Sequence, residues 1–145
     1  MNKSVIFSVA TMTLMLFTLT GAGLAEDSKT ERHDTIYVCG CGEGCGCNTV
    51  SLEPGDCGCG KPLVAGHVVK IEGSEALVCT HGKDCTCEVS SDDSSRCSCG
   101  MELERVSLEG TGIHFCNCGG SCTCNHVSEE PGSCACGMPL TVAEK

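Results

Sequence analysis

Three stretches of the chain share one cysteine plan, and that plan constrains the fold more than any other feature. They read YVCGCGEGCGCNTVSLEPGDCGCGKPLV from Tyr37, LVCTHGKDCTCEVSSDDSSRCSCGMELE from Leu77 and HFCNCGGSCTCNHVSEEPGSCACGMPLT from His114. The common spacing is C-x-C-x3-C-x-C-x9-C-x-C-G-x-x-L, with no gap in any copy. The six positions are Cys39, Cys41, Cys45, Cys47, Cys57 and Cys59 in copy one, and Cys79, His81, Cys85, Cys87, Cys97 and Cys99 in copy two. In copy three they are Cys116, Cys118, Cys122, Cys124, Cys134 and Cys136. A fixed period of this kind marks a repeated structural unit.

One position separates metal from disulfide. Cys41 and Cys118 correspond to His81 in copy two. Thiolate and imidazole are both ordinary zinc ligands, so His can replace Cys at a metal site. In a disulfide framework the same change strands a partner. The total of 17 cysteines is odd, which excludes full pairing within one chain. Two Cys one residue apart readily reach the same or adjacent ions, whereas joining them directly closes a small ring with demanding geometry.

Soft sulfur ligands select Zn, Cu(I) or related heavy metals over Mg and Ca. Six thiolates around two zinc ions, two of them bridging, would make both ions four-coordinate. Four cuprous ions fit the same sulfurs. A mononuclear site using the first and last doublets is the alternative, so each repeat is expected to take one, two or more ions.

Composition points the same way. All 19 acidic residues and 8 of the 9 basic residues lie beyond residue 25, a formal charge of −11 there. A nucleic-acid binder needs a basic face. Beyond residue 25 the only aromatic side chains are Tyr37 and Phe115, too few to stack bases or to build a large core. Domains short of core commonly need disulfides or metals. A structural zinc contributes about 10–16 kcal/mol in small peptides, against a net stability of about 5–15 kcal/mol for whole domains. Val38, Val50 and Leu63, Val78, Val89 and Leu103, and Phe115, Val127 and Leu140 are expected to pack locally around each site.

Around the repeats, Lys3, the uncharged run Val5–Thr20 and the small residues Gly23 and Ala25 have the layout of a secretory signal peptide. The alternative, a membrane anchor, is disfavoured because the run is short for a span, and nothing later is apolar enough to cross. Signal cleavage would leave no span and place the chain in the periplasm or outside the cell. The spacers HVVKIEGSEALV and ERVSLEGTGIHF each read as a hairpin, with the strand leaving one copy pairing with the strand entering the next. The expected fold class is small metal-stabilised modules built from β-hairpins, knuckles and loops, in three tandem repeats with little helix after the signal peptide. The boundaries are 1–25 for the signal peptide, 26–35 for a flexible lead-in, and 36–68, 76–107 and 113–142 for the repeats.

The C-x-C-G-x-x-L ends resemble metal knuckles, where Gly lets the backbone curl and aim N–H groups at sulfur. His114 and His126 read as solvent-facing or strand-face residues, and His33 and His67 lie outside the repeat plan and are not expected to be ligands. Met101 and Met138 follow the knuckle Gly, where a thioether suits Cu(I) but packing is the simpler role. No C-x-x-C occurs, so the thioredoxin and haem-attachment motifs are absent, and so is the ferredoxin run. No catalytic constellation stands out, and the chain is not expected to be an enzyme.

The segments YVC at Tyr37–Cys39, EPGDCGCGKPLV at Glu53–Val64 and EEPGSCACGMPL at Glu129–Leu140 resemble the heavy-metal-binding domain of bacterial efflux systems. That domain reads roughly Y-x-C-P-M-H-P followed by P-G-x-C-P-x-C-G-M-x-L. It occurs in copper-exporting ATPases and periplasmic efflux adaptors. Cys39, Cys57, Cys59, Cys116, Cys134, Cys136 and Met138 match by position. The Pro-Met-His-Pro segment is missing here, and the last pair is C-x-C. The doublets are similar to those of metallothioneins, which sequester soft ions in thiolate clusters. The resemblance implies a heavy-metal site and, as partner, a metal-efflux or metal-delivery protein.

The expected function is an exported, monomeric metal-binding protein for sequestration, buffering, resistance or delivery. Its thiols would meet an oxidising compartment unless metal reached them first. The alternatives are a metal-stapled interaction module and a disulfide-rich secreted protein.

Overall fold

The computed structural model describes residues 32–41, 46–82, 87–119 and 123–145. The expected signal peptide, most of the lead-in and the third position of each copy (Cys45, Cys85, Cys122) lie outside the described residues. Among the described residues there is no helix. Eight strands occur: β1 (Thr35–Cys39), β2 (Val50–Ser51), β3 (Leu63–Glu72), β4 (Glu75–Cys79), β5 (Glu104–Ser107), β6 (His114–Phe115), β7 (Val127–Ser128) and β8 (Thr141–Val142). Five form an antiparallel sheet in the order β2-β1-β3-β4-β5, and three form a second sheet in the order β7-β6-β8.

The first spacer folds as expected. β3 and β4 pair from His67 opposite Cys79 to Glu72 opposite Glu75, with Gly73 at φ 66° in the turn. A β-bulge at Val69 interrupts the register between Val68 and Lys70. Successive side chains of a strand point to opposite faces. Val68 and Val69 are therefore both buried, each in a different apolar cluster. Between β1 and β4, Gly66 leaves no room for a side chain: an added Cβ would sit 2.5 Å from Val78 Cγ1.

The second spacer does not fold as a hairpin. β5 pairs with β4 alone, whereas β6 pairs with β7 and β8. The connection carries two left-handed glycines, Gly110 (φ 69°) and Gly112 (φ 76°). Between them Thr111 Oγ1 donates to Leu108 O (2.7 Å) and accepts from Ile113 N–H (3.2 Å). Leu108 and Ile113 are buried, so apolar burial draws the chain away from β5 and into the second sheet.

The apolar side chains also depart from the expectation of local packing. Ile36, Val38, Val68, Ala76, Val78, Val106, Leu108, Ile113, Phe115 and Val127 form one cluster. Val38, Val78, Phe115 and Val127 come from three different copies, so the repeats share a core. Burying each such side chain is worth about 1.5–3 kcal/mol. A second cluster on the opposite face of β4 contains Val69, Leu77, Cys79, Cys97 and Leu103, with Val89 against it. The described residues form one compact unit. Arg32–Thr35, from the lead-in, are tied to it: Val68 N–H donates to Asp34 O and Val127 N–H to His33 O, both at 2.7 Å. No helix among the described residues is long and apolar enough to cross a membrane.

Candidate metal centres

Each copy ends in the same knuckle, and the backbone bonds repeat almost atom for atom. Cys57 N–H donates to Lys61 O, Gly60 N–H to Cys57 O and Leu63 N–H to Gly55 O, each at 2.8 Å. The equivalents in copy two are Cys97 to Met101, Gly100 to Cys97 and Leu103 to Ser95, also at 2.8 Å. In copy three they are Cys134 to Met138 and Gly137 to Cys134 at 2.9 Å, and Leu140 to Gly132 at 2.8 Å. Gly60, Gly100 and Gly137 take φ 81°, 88° and 82°, a region open to Gly without penalty. In copy two Cys99 N–H points at Cys97 Sγ (3.5 Å).

A strand delivers the first cysteine to each knuckle. Cys39 and Cys79 end β1 and β4, and Cys116 follows β6. Three sets of sulfurs result, each with all members within 4.8 Å of one another. Centre one holds Cys39, Cys41, Cys47, Cys57 and Cys59; centre two holds Cys79, Cys87, Cys97 and Cys99; centre three holds Cys116, Cys118, Cys124, Cys134 and Cys136. A tetrahedral zinc with bonds of about 2.3 Å sets its sulfurs roughly 3.8 Å apart. Cys79 and Cys99 are 3.7 Å apart. In centre three Cys116 lies 2.7 Å from Cys118, and Cys118 lies 4.0 Å from Cys134. In centre one Cys47 lies 3.0 Å from Cys39 and Cys41 lies 3.0 Å from Cys59. The sulfurs therefore converge closely enough that each set could hold a metal ion.

Burial repeats too. The first and fifth cysteines are buried in every copy, whereas the sixth (Cys59, Cys99, Cys136) is exposed. Each centre thus has an inner wall and an outer sulfur in reach of solvent. Burial pushes the Cys79 thiol up to about 12; the His81 backbone N–H opposes this, and the Cys97 and Cys99 thiols add to it. The Met101 backbone N–H, helped by the Cys97 thiol, holds Cys99 below the usual thiol range. For Cys134 the Cys136 sulfur works upward, but the Cys116 thiol and the N–H groups of Cys136 and Met138 prevail and lower it. The knuckle N–H groups thus favour thiolate at Cys99 and at Cys134, which is the form that binds metal.

Not every expected ligand joins these sets. His81 is exposed, and its ring is not among the converging atoms of centre two. Cys57 and Cys59 are joined as a disulfide, and Cys87 is also disulfide-bonded, whereas Cys97, Cys99 and Cys134 are free thiols. The same doublet is therefore closed in copy one and open in the other two. The side chains of Met101 and Met138 are exposed, but their carbonyls close the knuckles. His126 stacks on His33 with ring centroids 4.5 Å apart, and burial first, then the neighbouring His33, lowers its pKa.

His67 lies outside the repeat plan, yet it is directly opposite Cys79 and is 1% exposed. Its Nε2–H donates to Gly82 O at 2.5 Å, and its Nδ1 is buried with no hydrogen-bond partner. Only pairing across β3 and β4 reveals this; the repeat plan contains no signal for it.

Comparison with known protein families, curated proteins and solved structures found no match. The likeness to heavy-metal-binding domains rests on the quoted motifs alone.

Proposed function

We propose that this chain is an exported heavy-metal-binding protein whose three sulfur centres take up zinc or Cu(I) for sequestration, buffering, resistance or delivery. The observation that carries the reading is the convergence of four or five sulfurs, three times over, on identical knuckles. Soft thiolate donors without carboxylate suit these ions and not Mg or Ca. Each centre's atoms are protein sulfurs, which favours a binding role over a catalytic one. Export is supported by the signal-like N-terminal sequence, and metal-efflux or delivery proteins are the natural partners. The test is elemental analysis of protein purified without oxygen from its native source, together with thiol counts before and after chelation. Stoichiometric Zn or Cu, with thiols that become reactive on chelation, supports the reading; metal-free protein refutes it.

A second reading has its own observation. The pairing of Cys57 with Cys59 and the bonded Cys87 suit the alternative of a disulfide-rich secreted protein. In that state centre one keeps three thiols among the described residues. The same thiol count decides: sulfurs that stay unreactive after chelation, and react only after reduction, are disulfides.

A further inference from the structure

Centre three is anchored on one side and open on the other. Cys116 follows Phe115, which is 2% exposed in the shared core, and the Cys116 N–H donates to His126 O at 2.9 Å. The Cys116 sulfur lies 2.7 Å from Cys118, 3.1 Å from Cys124 and 3.2 Å from Cys134, which is buried as well. Asn125, next to Cys124, is tied across to β3: its Nδ2–H donates to Val69 O at 2.7 Å. Asn125 sits at φ 41°, a conformation Asn tolerates better than most residues. Packed backbone thus holds Cys116 and Cys124 from behind.

Cys136 is placed differently. It is exposed, and its sulfur lies 3.0 Å from Cys118 and 4.0 Å from Cys116. The turn that carries it faces open space: a Cβ added at Gly132 or Gly137 would meet nothing within 4 Å. Five sulfurs converge at this centre, one more than a four-coordinate ion requires. The same order of burial, with the first and fifth cysteines inside and the sixth outside, recurs in copies one and two.

We infer that Cys136 is the exit ligand of centre three: its bond to the ion is the first to be exchanged for the thiol of an incoming acceptor, and the Cys116 bond is the last to break. The inference rests on the metal-binding reading above and names the residue through which that centre delivers its ion. In the first step the acceptor thiol gives up a proton and forms a metal–sulfur bond. The Cys136–metal bond breaks, and the Cys136 sulfur takes up a proton. The ion keeps its oxidation state, so no electron donor or acceptor is needed. Later steps repeat the exchange inward, because the buried sulfurs of Cys116 and Cys134 meet an acceptor only after the outer sulfur has let go.

The test uses the full chain loaded with cadmium and kept reduced by a phosphine. Limiting N-ethylmaleimide is added and the modified cysteines are mapped by peptide mass spectrometry. Cys136 should react at least about tenfold faster than Cys116 and Cys134. Cadmium NMR then compares the parent with Cys136→Ser, which leaves Cys116, Cys118, Cys124 and Cys134 at the centre. One cadmium signal should move in the variant without being lost, and this marks centre three. On addition of dimercaptosuccinate as the acceptor, that signal should decay roughly tenfold more slowly than in the parent. Labelling that favours Cys116 or Cys134 or is equal among the three, no signal moved in Cys136→Ser, a signal lost there, or decay at the parent rate would overturn the inference while leaving metal binding intact. Failure of the parent chain to bind cadmium at all would overturn both.

Discussion

His67 and Cys79 lie opposite one another on neighbouring strands, both almost wholly buried, and the His67 ring reaches on to grip the Gly82 carbonyl. A histidine outside the repeat thus braces the loop that leaves the first cysteine of centre two. Replacing His67 with Leu keeps an apolar body but strands the Gly82 carbonyl. The loss should be about 1–3 kcal/mol, read as a lower urea midpoint of the metal-loaded chain. An unchanged midpoint would mean that the bond contributes nothing.

Charge on Cys79 sets opposite pH responses for the metal-free and loaded chains. The folded thiol is raised from 9.0 to about 12. Its contribution to metal-free stability is fully present below pH 9.0 and is lost as pH climbs toward about 12, because only the unfolded chain ionises there. The loaded chain needs thiolate, so acid competes with metal and lowers its stability instead. Thermal melts with and without zinc should therefore shift in opposite directions between acid and alkaline buffers. Parallel shifts would refute the assignment.

His81 offers a direct comparison with its counterparts Cys41 and Cys118. Centre two already gathers four sulfurs without the exposed His81 ring. His81→Ala should keep the ion of centre two, and His81→Cys should keep it or add capacity. Native mass spectrometry counts the ions; one ion fewer in His81→Ala would make the imidazole a ligand after all.

The knuckle turn makes its own prediction. Gly137 has φ 82° and nothing within 4 Å of an added Cβ. Gly137→Ala is thus a backbone change without a clash, costing about 1–2 kcal/mol for a left-handed residue. Chelator competition should show weaker binding at centre three and unchanged binding at centre one. Equal weakening everywhere would mean that the knuckles are not independent supports.

Much of this architecture follows from local sequence. The order of cysteines, the left-handed glycines of the knuckles and the β3–β4 turn depend on residues close in the chain, and short-range geometry decides them. The convergence of Cys39 with Cys57, or of Cys116 with Cys134, follows from the same spacing repeated three times. Only the tertiary structure decided the rest. β5 pairs with β4 and not β6, because Leu108 and Ile113 gain more from burial than a hairpin across two glycines would return. The pooling of Val38, Val78, Phe115 and Val127 in one core, the seat of His67 opposite Cys79 and the reach of Asn125 to Val69 join residues far apart in sequence. Such contacts depend on which surfaces exclude water together, and no spacing rule within one repeat encodes that.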